Sequence, residues 1–100
     1  MTSRPFLKLK TTIGFEVPTA DPSTYPIINL RATGERIHRL RIDAGLSVRE
    51  LSRLLFLSDV QAVYKWQRGE SLPSLDNLVL LSWLLGVTID QILVVEFRNN

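Results

Sequence analysis

A chain of 100 residues with 45% hydrophobic and 22% charged residues is long enough for one compact core and too short for two ordinary domains. That apolar share excludes disorder as a description of the whole chain, and the absence of cysteine, with a lone histidine at His38, excludes disulfides, thiolate metal sites and histidine clusters. The net charge is only +2, but residues 31–70 hold eight Arg or Lys against five acids, whereas residues 71–100 hold one against three; the basic middle alone is weak evidence for nucleic acid, because solvated helix faces produce such an excess as often.

No run approaches the roughly 18 apolar residues of a membrane span, and the first ten residues, MTSRPFLKLK, lack the unbroken apolar stretch of a secretory signal. A soluble, cytoplasmic protein without cofactor or metal is expected. Leu7, Leu9, Thr11, Ile13, Phe15 and Val17 alternate with Lys8, Lys10, Thr12, Gly14 and Glu16, the period of two of a half-buried strand. Residues 18–26, PTADPSTYP, carry three prolines and read as a linker. The division is therefore an arm and linker over 1–26, a helical domain over 27–93, and a tail or short strand over 94–100.

After the linker the period becomes helical. Thr33 is placed to cap a first helix over about 34–44, whose Ile37, Leu40 and Ala44 share a face and which Gly45 ends. Ser47 with Glu50 forms a capping box for a second helix over about 48–56, with Val48, Leu51, Leu54 and Leu55 as its apolar stripe. Ser58 with Gln61 repeats the box for a third over about 59–68, in which Val63 and Trp66 share a face before Gly69. Leu72-Pro73 then breaks the chain, Ser74 caps a fourth helix running to Leu85, Gly86 stops it, and Thr88 with Gln91 caps a short fifth. Val94 to Phe97 either continue that helix or form a brief strand; the strand is favoured, because it gives the N-terminal alternation a partner.

Two short capped helices joined by a tight turn are what a duplex reader needs, the first crossing the backbone and the second lying in the major groove. With Leu51, Leu55, Leu57, Val63 and Trp66 directed inward, the third helix is left with Val60, Gln61, Tyr64, Lys65 and Arg68 outside. The Gln61 amide can donate and accept at once, matching an adenine edge, and Lys65 can reach guanine acceptors or a phosphate. The runs RIHRLRIDAGLSVRELSRLL and QAVYKWQRGESLPSLDNLVLLSWLLGVTIDQIL resemble the Cro-type phage-repressor family of helix-turn-helix domains, also called XRE, over about residues 31–93. The resemblance implies an all-α, five-helix domain that binds operator DNA, commonly as a dimer. It puts Gln61, Ala62 and Lys65 at base-facing places, and Ser47, Val48 and Arg68 at backbone-facing ones.

Phe56 stands where the family usually has glycine, so the turn geometry or the register is expected to differ. One residue more than the commonest spacing separates Ser58 from Trp66, which shifts the start of the third helix, and Asp59, repulsive to DNA, is expected to act as a cap. Arg41 and Gln67 fall where the family often pairs arginine with glutamate; Gln67 keeps an acceptor and loses the charge.

Each candidate has a plainer reading. His38 without a second histidine reads as a solvent-facing side chain, and Trp66 at helical spacing from Val63 as core. The Tyr64 hydroxyl reaches a phosphate or the ring packs on the second helix, with equal weight. Arg36, Arg39, Arg49 and Arg53 line the phosphate backbone or simply solubilise their helices, and Arg49, nearest the start of the second helix, is taken as a backbone contact. Leu75, Leu78, Val79, Leu80, Leu81, Trp83, Leu84 and Leu85 surround nearly the whole fourth helix; a stripe suffices for one core, so the surplus, taken as Val79, Leu80 and Trp83, calls for a second partner, either the N-terminal strand or a twofold mate. A dimer places two recognition helices on half-sites about 34 Å apart or a multiple of that.

The expectation is a sequence-specific transcriptional regulator, a repressor by occlusion, acting as a homodimer on double-stranded DNA. The alternative is an antitoxin-like interaction module, whose arm 6–17 engages a protein partner while DNA binding is autoregulatory. Catalysis is not expected, since no nucleophile, base and orienting group recur at useful spacing.

Overall fold

A computed structural model describes residues 23–99, in the order β1 (Thr24–Ile28), α1 (Leu30–Asp43), α2 (Val48–Leu54), α3 (Gln61–Gln67), α4 (Leu75–Leu85), α5 (Ile89–Ile92) and β2 (Val95–Asn99). The strand read from residues 7–17, and with it the arm 6–17, lies outside the described residues.

Most helix ends follow local side-chain chemistry. At the start of α2 the Ser47 Oγ accepts the Glu50 N–H at 3.0 Å and the Glu50 carboxylate accepts the Ser47 N–H at 2.8 Å, which satisfies two N–H groups that a helix start leaves without partners. The Ser74 Oγ accepts the Asn77 N–H at the start of α4, and Gly86 ends that helix at φ 70. The Gln91 side chain accepts the Thr88 N–H at 2.9 Å, holding the single turn of α5.

Three boundaries differ from the sequence expectation. Helix α1 begins at Leu30, not near residue 34: the Asn29 side chain is its cap, accepting the Ala32 N–H at 2.8 Å. Thr33 instead lies within the helix, 1% exposed, where its hydroxyl accepts the Val94 N–H from across the fold at 2.9 Å. Helix α3 begins at Gln61, and the box between Ser58 and Gln61 does not form; the Asp59 carboxylate accepts the Gln61 N–H at 2.8 Å, the capping role expected of it. Helix α2 ends at Leu54 because Phe56 adopts φ 59. The Leu57 N–H then reaches the Ser52 carbonyl at 2.9 Å and the Phe56 N–H reaches the Arg53 carbonyl at 3.0 Å, the pair of bonds that closes a helix through a left-handed residue. The turn thus keeps the conformation glycine favours, with a phenylalanine in it.

The fold is not purely helical. β1 and β2 pair antiparallel from Thr24 opposite Asn99 to Ile28 opposite Val95, so the C-terminal strand is paired with residues 24–28. Part of the stretch read as linker, up to Pro26, is therefore strand. Tyr25, Ile27 and Ile28 suit a strand, and Pro26, lacking an N–H, is tolerated because a two-stranded ribbon has only edges. Such a ribbon is marginal alone. It is tied to the helices by the Asn29 N–H on the Val94 carbonyl at 2.8 Å and the Asn29 amide on the Glu96 carboxylate at 2.8 Å, while Arg36 of α1 donates to the Gln91 carbonyl of α5 at 3.2 Å.

The core is one cluster of Ile37, Leu51, Leu55, Val63, Trp66, Leu78, Leu81 and Ile92, which draws on all five helices. Its tightest crossing is at Gly34: a Cβ there would lie 2.1 Å from the Trp66 carbonyl oxygen and 2.9 Å from that of Gln67. Helix α1 rests directly on the backbone at the end of α3, and only glycine permits that approach.

Candidate nucleic-acid interface

With 3.6 residues per turn, Gln61, Tyr64, Lys65 and Arg68 fall within about 100° of arc on α3, and Val63 and Trp66 fall opposite them. The structure keeps that division: Val63 is 0% and Trp66 4% exposed, whereas Gln61, Tyr64, Lys65 and Arg68 are all exposed. Burial of the inner pair fixes the rotation of the helix about its axis, and this aims the outer four. Ala62 sits on the flank, half-buried against the core cluster, with only part of its methyl group toward the outside.

At the start of α2, Ser47 and Arg49 are exposed and Val48 is half-buried against the core. The capping box engages the Ser47 and Glu50 N–H groups, so the positive charge offered there is the Arg49 side chain. The Glu50 carboxyl is held below its ordinary value, chiefly by the Ser47 N–H and then by the Ser47 hydroxyl. Arg68 is held by its neighbour: its guanidinium donates to both oxygens of Glu70. That pairing lowers the Glu70 carboxyl and raises Arg68. Both side chains remain about half exposed, so a phosphate can exchange for the carboxylate at small cost.

Arg41 positions this surface from below. It is 9% exposed, and its guanidinium donates to Gln67 Oε1 at 3.0 Å and to the Leu46 carbonyl at 2.7 Å, with His38 Nδ1 at 3.1 Å. One side chain joins α1, the turn before α2 and the last residue of α3. The Gln67 partner follows from the sequence resemblance; His38, read there as merely solvent-facing, is exposed yet also touches Arg41, and its i, i+3 spacing was the available signal.

On α4, Leu75 is 79%, Val79 58% and Trp83 78% exposed. Spaced four apart, they form one ridge about 12 Å long, on the side away from the buried Leu78 and Leu81. Leu80 is half-buried against the core, and Leu75, absent from the expected surplus, takes its place on the open face; its spacing from Val79 was the missed signal. Among the described residues no helix is long and apolar enough to cross a membrane, and no group of three metal-ligating side chains occurs.

Two short helices locked at a fixed angle by a shared core, the second with a polar and basic outer face, define the helix-turn-helix class of domains. The chain belongs to the Cro-type, or XRE, family within that class: the helix-turn-helix family model matches residues 37–92. It is 32% identical over 59 residues to the HTH-type transcriptional activator BcrR of Enterococcus faecalis, a match that takes in 59% of this chain and 28% of that protein. The chain thus spans little more than a quarter of the length of that curated relative. The restriction-modification controller protein C.AhdI of Aeromonas hydrophila superposes with a TM-score of 0.57 at 32% identity, over 63% of this chain and 94% of its own. The transcription factor NHTF of Neisseria, described as hypothetical, gives 0.56 at 30% identity, over 65% and 75%. The clp gene regulator ClgR of C. glutamicum gives 0.58 at 22% identity, over 68% and 86%, and supports the fold alone.

Proposed function

We propose that this chain is a sequence-specific regulator of transcription that binds double-stranded DNA, with α3 in the major groove. The observation that carries the reading is the outer face of α3, where Gln61, Tyr64, Lys65 and Arg68 are exposed on a helix whose rotation is fixed by buried Val63 and Trp66. In this reading Gln61 and Lys65 read base edges with Ala62 at the margin, while Ser47, Val48, Arg49, Tyr64 and Arg68 meet the phosphate backbone. The protein acts by binding, without catalysis.

The ridge of Leu75, Val79 and Trp83 supports a homodimer: three large apolar side chains in line are more than a monomeric surface ordinarily leaves open, and a twofold copy brings two α3 helices to successive grooves. Leu80 flanks that interface. Repression then follows by occlusion of the bound site. A second reading, activation, is favoured by the description of BcrR as an activator; a reporter placed downstream of the bound site gives the sign.

The test is selection of bound duplexes from a random pool at near-physiological salt, with wild type and Gln61→Ala in parallel. A palindromic motif that relaxes at one position per half-site in the variant, by about 1–3 kcal/mol at that base pair, supports the reading. Salt-sensitive weak binding without an enriched motif overturns it in favour of a protein-interaction module.

A further inference from the structure

We infer that the hollow between α2 and the α2–α3 turn is a binding site for a small phosphate-class oxyanion that carries a hydroxyl group. The cavity measures about 190 Å³, and its polar lining is Arg49, Ser52, Arg53, Ser58 and Asp59, with Val60 among the apolar members. It is far larger than one bound water requires, about 10–15 Å³, and below the roughly 300 Å³ at which drug-sized ligands begin. An occupant of a few heavy atoms is the matching size.

Three observations fix its chemistry. Arg49 and Arg53 lie four apart on α2, hence on one ridge, and neither makes a direct ion pair among the described residues, Glu50 acting on Arg53 only through space; like charges at that spacing disfavour each other and favour an anion beside them. Ser52, in the cavity wall, is 4% exposed, and its buried Oγ has no hydrogen-bond partner. A buried hydroxyl is otherwise paired in folded proteins, and this one is left without a partner in a residue of the cavity wall. Asp59 commits one carboxylate oxygen to the Gln61 N–H, leaving an acceptor for a donor on the ligand. Two guanidinium groups, a hydroxyl and one remaining carboxylate oxygen match a phosphate with a P–OH. A DNA phosphodiester offers the same oxyanion without that hydroxyl, and it is the competing source. The cavity lies on the turn that sets α3 relative to α2, so its occupancy bears on the recognition helix; it shares Arg49 with the proposed backbone contacts, whereas Ser52, Arg53 and Asp59 belong to it alone.

The experiment is a titration of the full chain with inorganic phosphate at constant ionic strength, following backbone amide resonances of residues 52 and 57–60, for wild type, Ser52→Ala and Arg53→Gln. Saturable shifts at those amides, with affinity about tenfold weaker in each variant, support the site; thermal denaturation shows that each variant is folded. Shifts that rise without saturating, or that are equal in all three proteins, mean an adventitious ion only and overturn it. Repeating the titration with the selected duplex bound separates the sources: loss of phosphate binding identifies the occupant as a backbone phosphate and overturns the hydroxyl-bearing assignment, whereas simultaneous binding supports a free ligand. With no selected motif, the titration without DNA still decides the site.

Discussion

Gly34→Ala is the substitution whose sign separates local from tertiary effects. On α1 alone, an interior glycine replaced by alanine should stabilise by about 1 kcal/mol. Here the new Cβ would sit 2.1 Å from the Trp66 carbonyl oxygen, roughly 1.3 Å inside van der Waals contact. Its neighbours, the carbonyl groups of Trp66 and Gln67, are backbone, so no side chain can rotate out of the way and α1 must lift off the end of α3. Overpacking of this kind costs about 1–3 kcal/mol, and a clash with rigid helix backbone belongs at the upper end. The net loss is about 2 kcal/mol, which for a domain of this size lowers Tm by about 8–16 °C. Because α3, the helix from which α1 is lifted, bears Gln61 and Lys65, the folded variant should also bind its selected duplex at least about tenfold more weakly, the loss of one good base contact. Thermal denaturation and a binding titration below the Tm measure both. A variant as stable as wild type, or more so, would refute the close approach of α1 to α3.

Phe56→Gly should stabilise by about 0.5–1 kcal/mol, because relief of a left-handed phenylalanine exceeds the entropy that glycine adds to the unfolded chain; with Phe56 87% exposed, little burial is lost, and urea denaturation gives the shift. Gln67→Glu places a carboxylate against buried Arg41 and should stabilise by about 1 kcal/mol at pH 7, a gain that disappears in the double variant with Arg41→Met. Glu50 has a carboxyl lowered from 4.5 by its bonds to Ser47, so its contribution is present above about pH 4.5 and lost as pH falls through the lower folded value. In Glu50→Gln that segment of the stability profile, measured by denaturation from about pH 6 to pH 3, should flatten. Trp83→Glu should leave the fold intact, since the residue is 78% exposed, and under the proposed homodimer sedimentation equilibrium should give a dimer for wild type and a monomer for the variant.

The features legible in the amino-acid sequence are those that neighbouring residues settle among themselves. The Ser47 and Glu50 box, the Ser74 cap and the stop at Gly86 each involve groups within a few residues, so they were legible as spacing. The rotation of α3 was legible too, because burial of Val63 and Trp66 follows from helical period alone. Tertiary structure decided the rest, because one polar group can serve either a local or a distant partner, and only the packed fold selects between them. Thr33 has the right chemistry for a cap, yet its hydroxyl bonds Val94, sixty-one residues away, and Asn29 caps α1 instead. Pro26 marks a linker by composition, yet the meeting of the two chain segments makes it a strand residue opposite Phe97. Gly34 looks like a weak point in a helix until α3 lies against it. Leu80 and Leu75 are equally apolar in the sequence; the packing of α4 on the core half-buries the first and leaves the second on the open ridge with Val79 and Trp83.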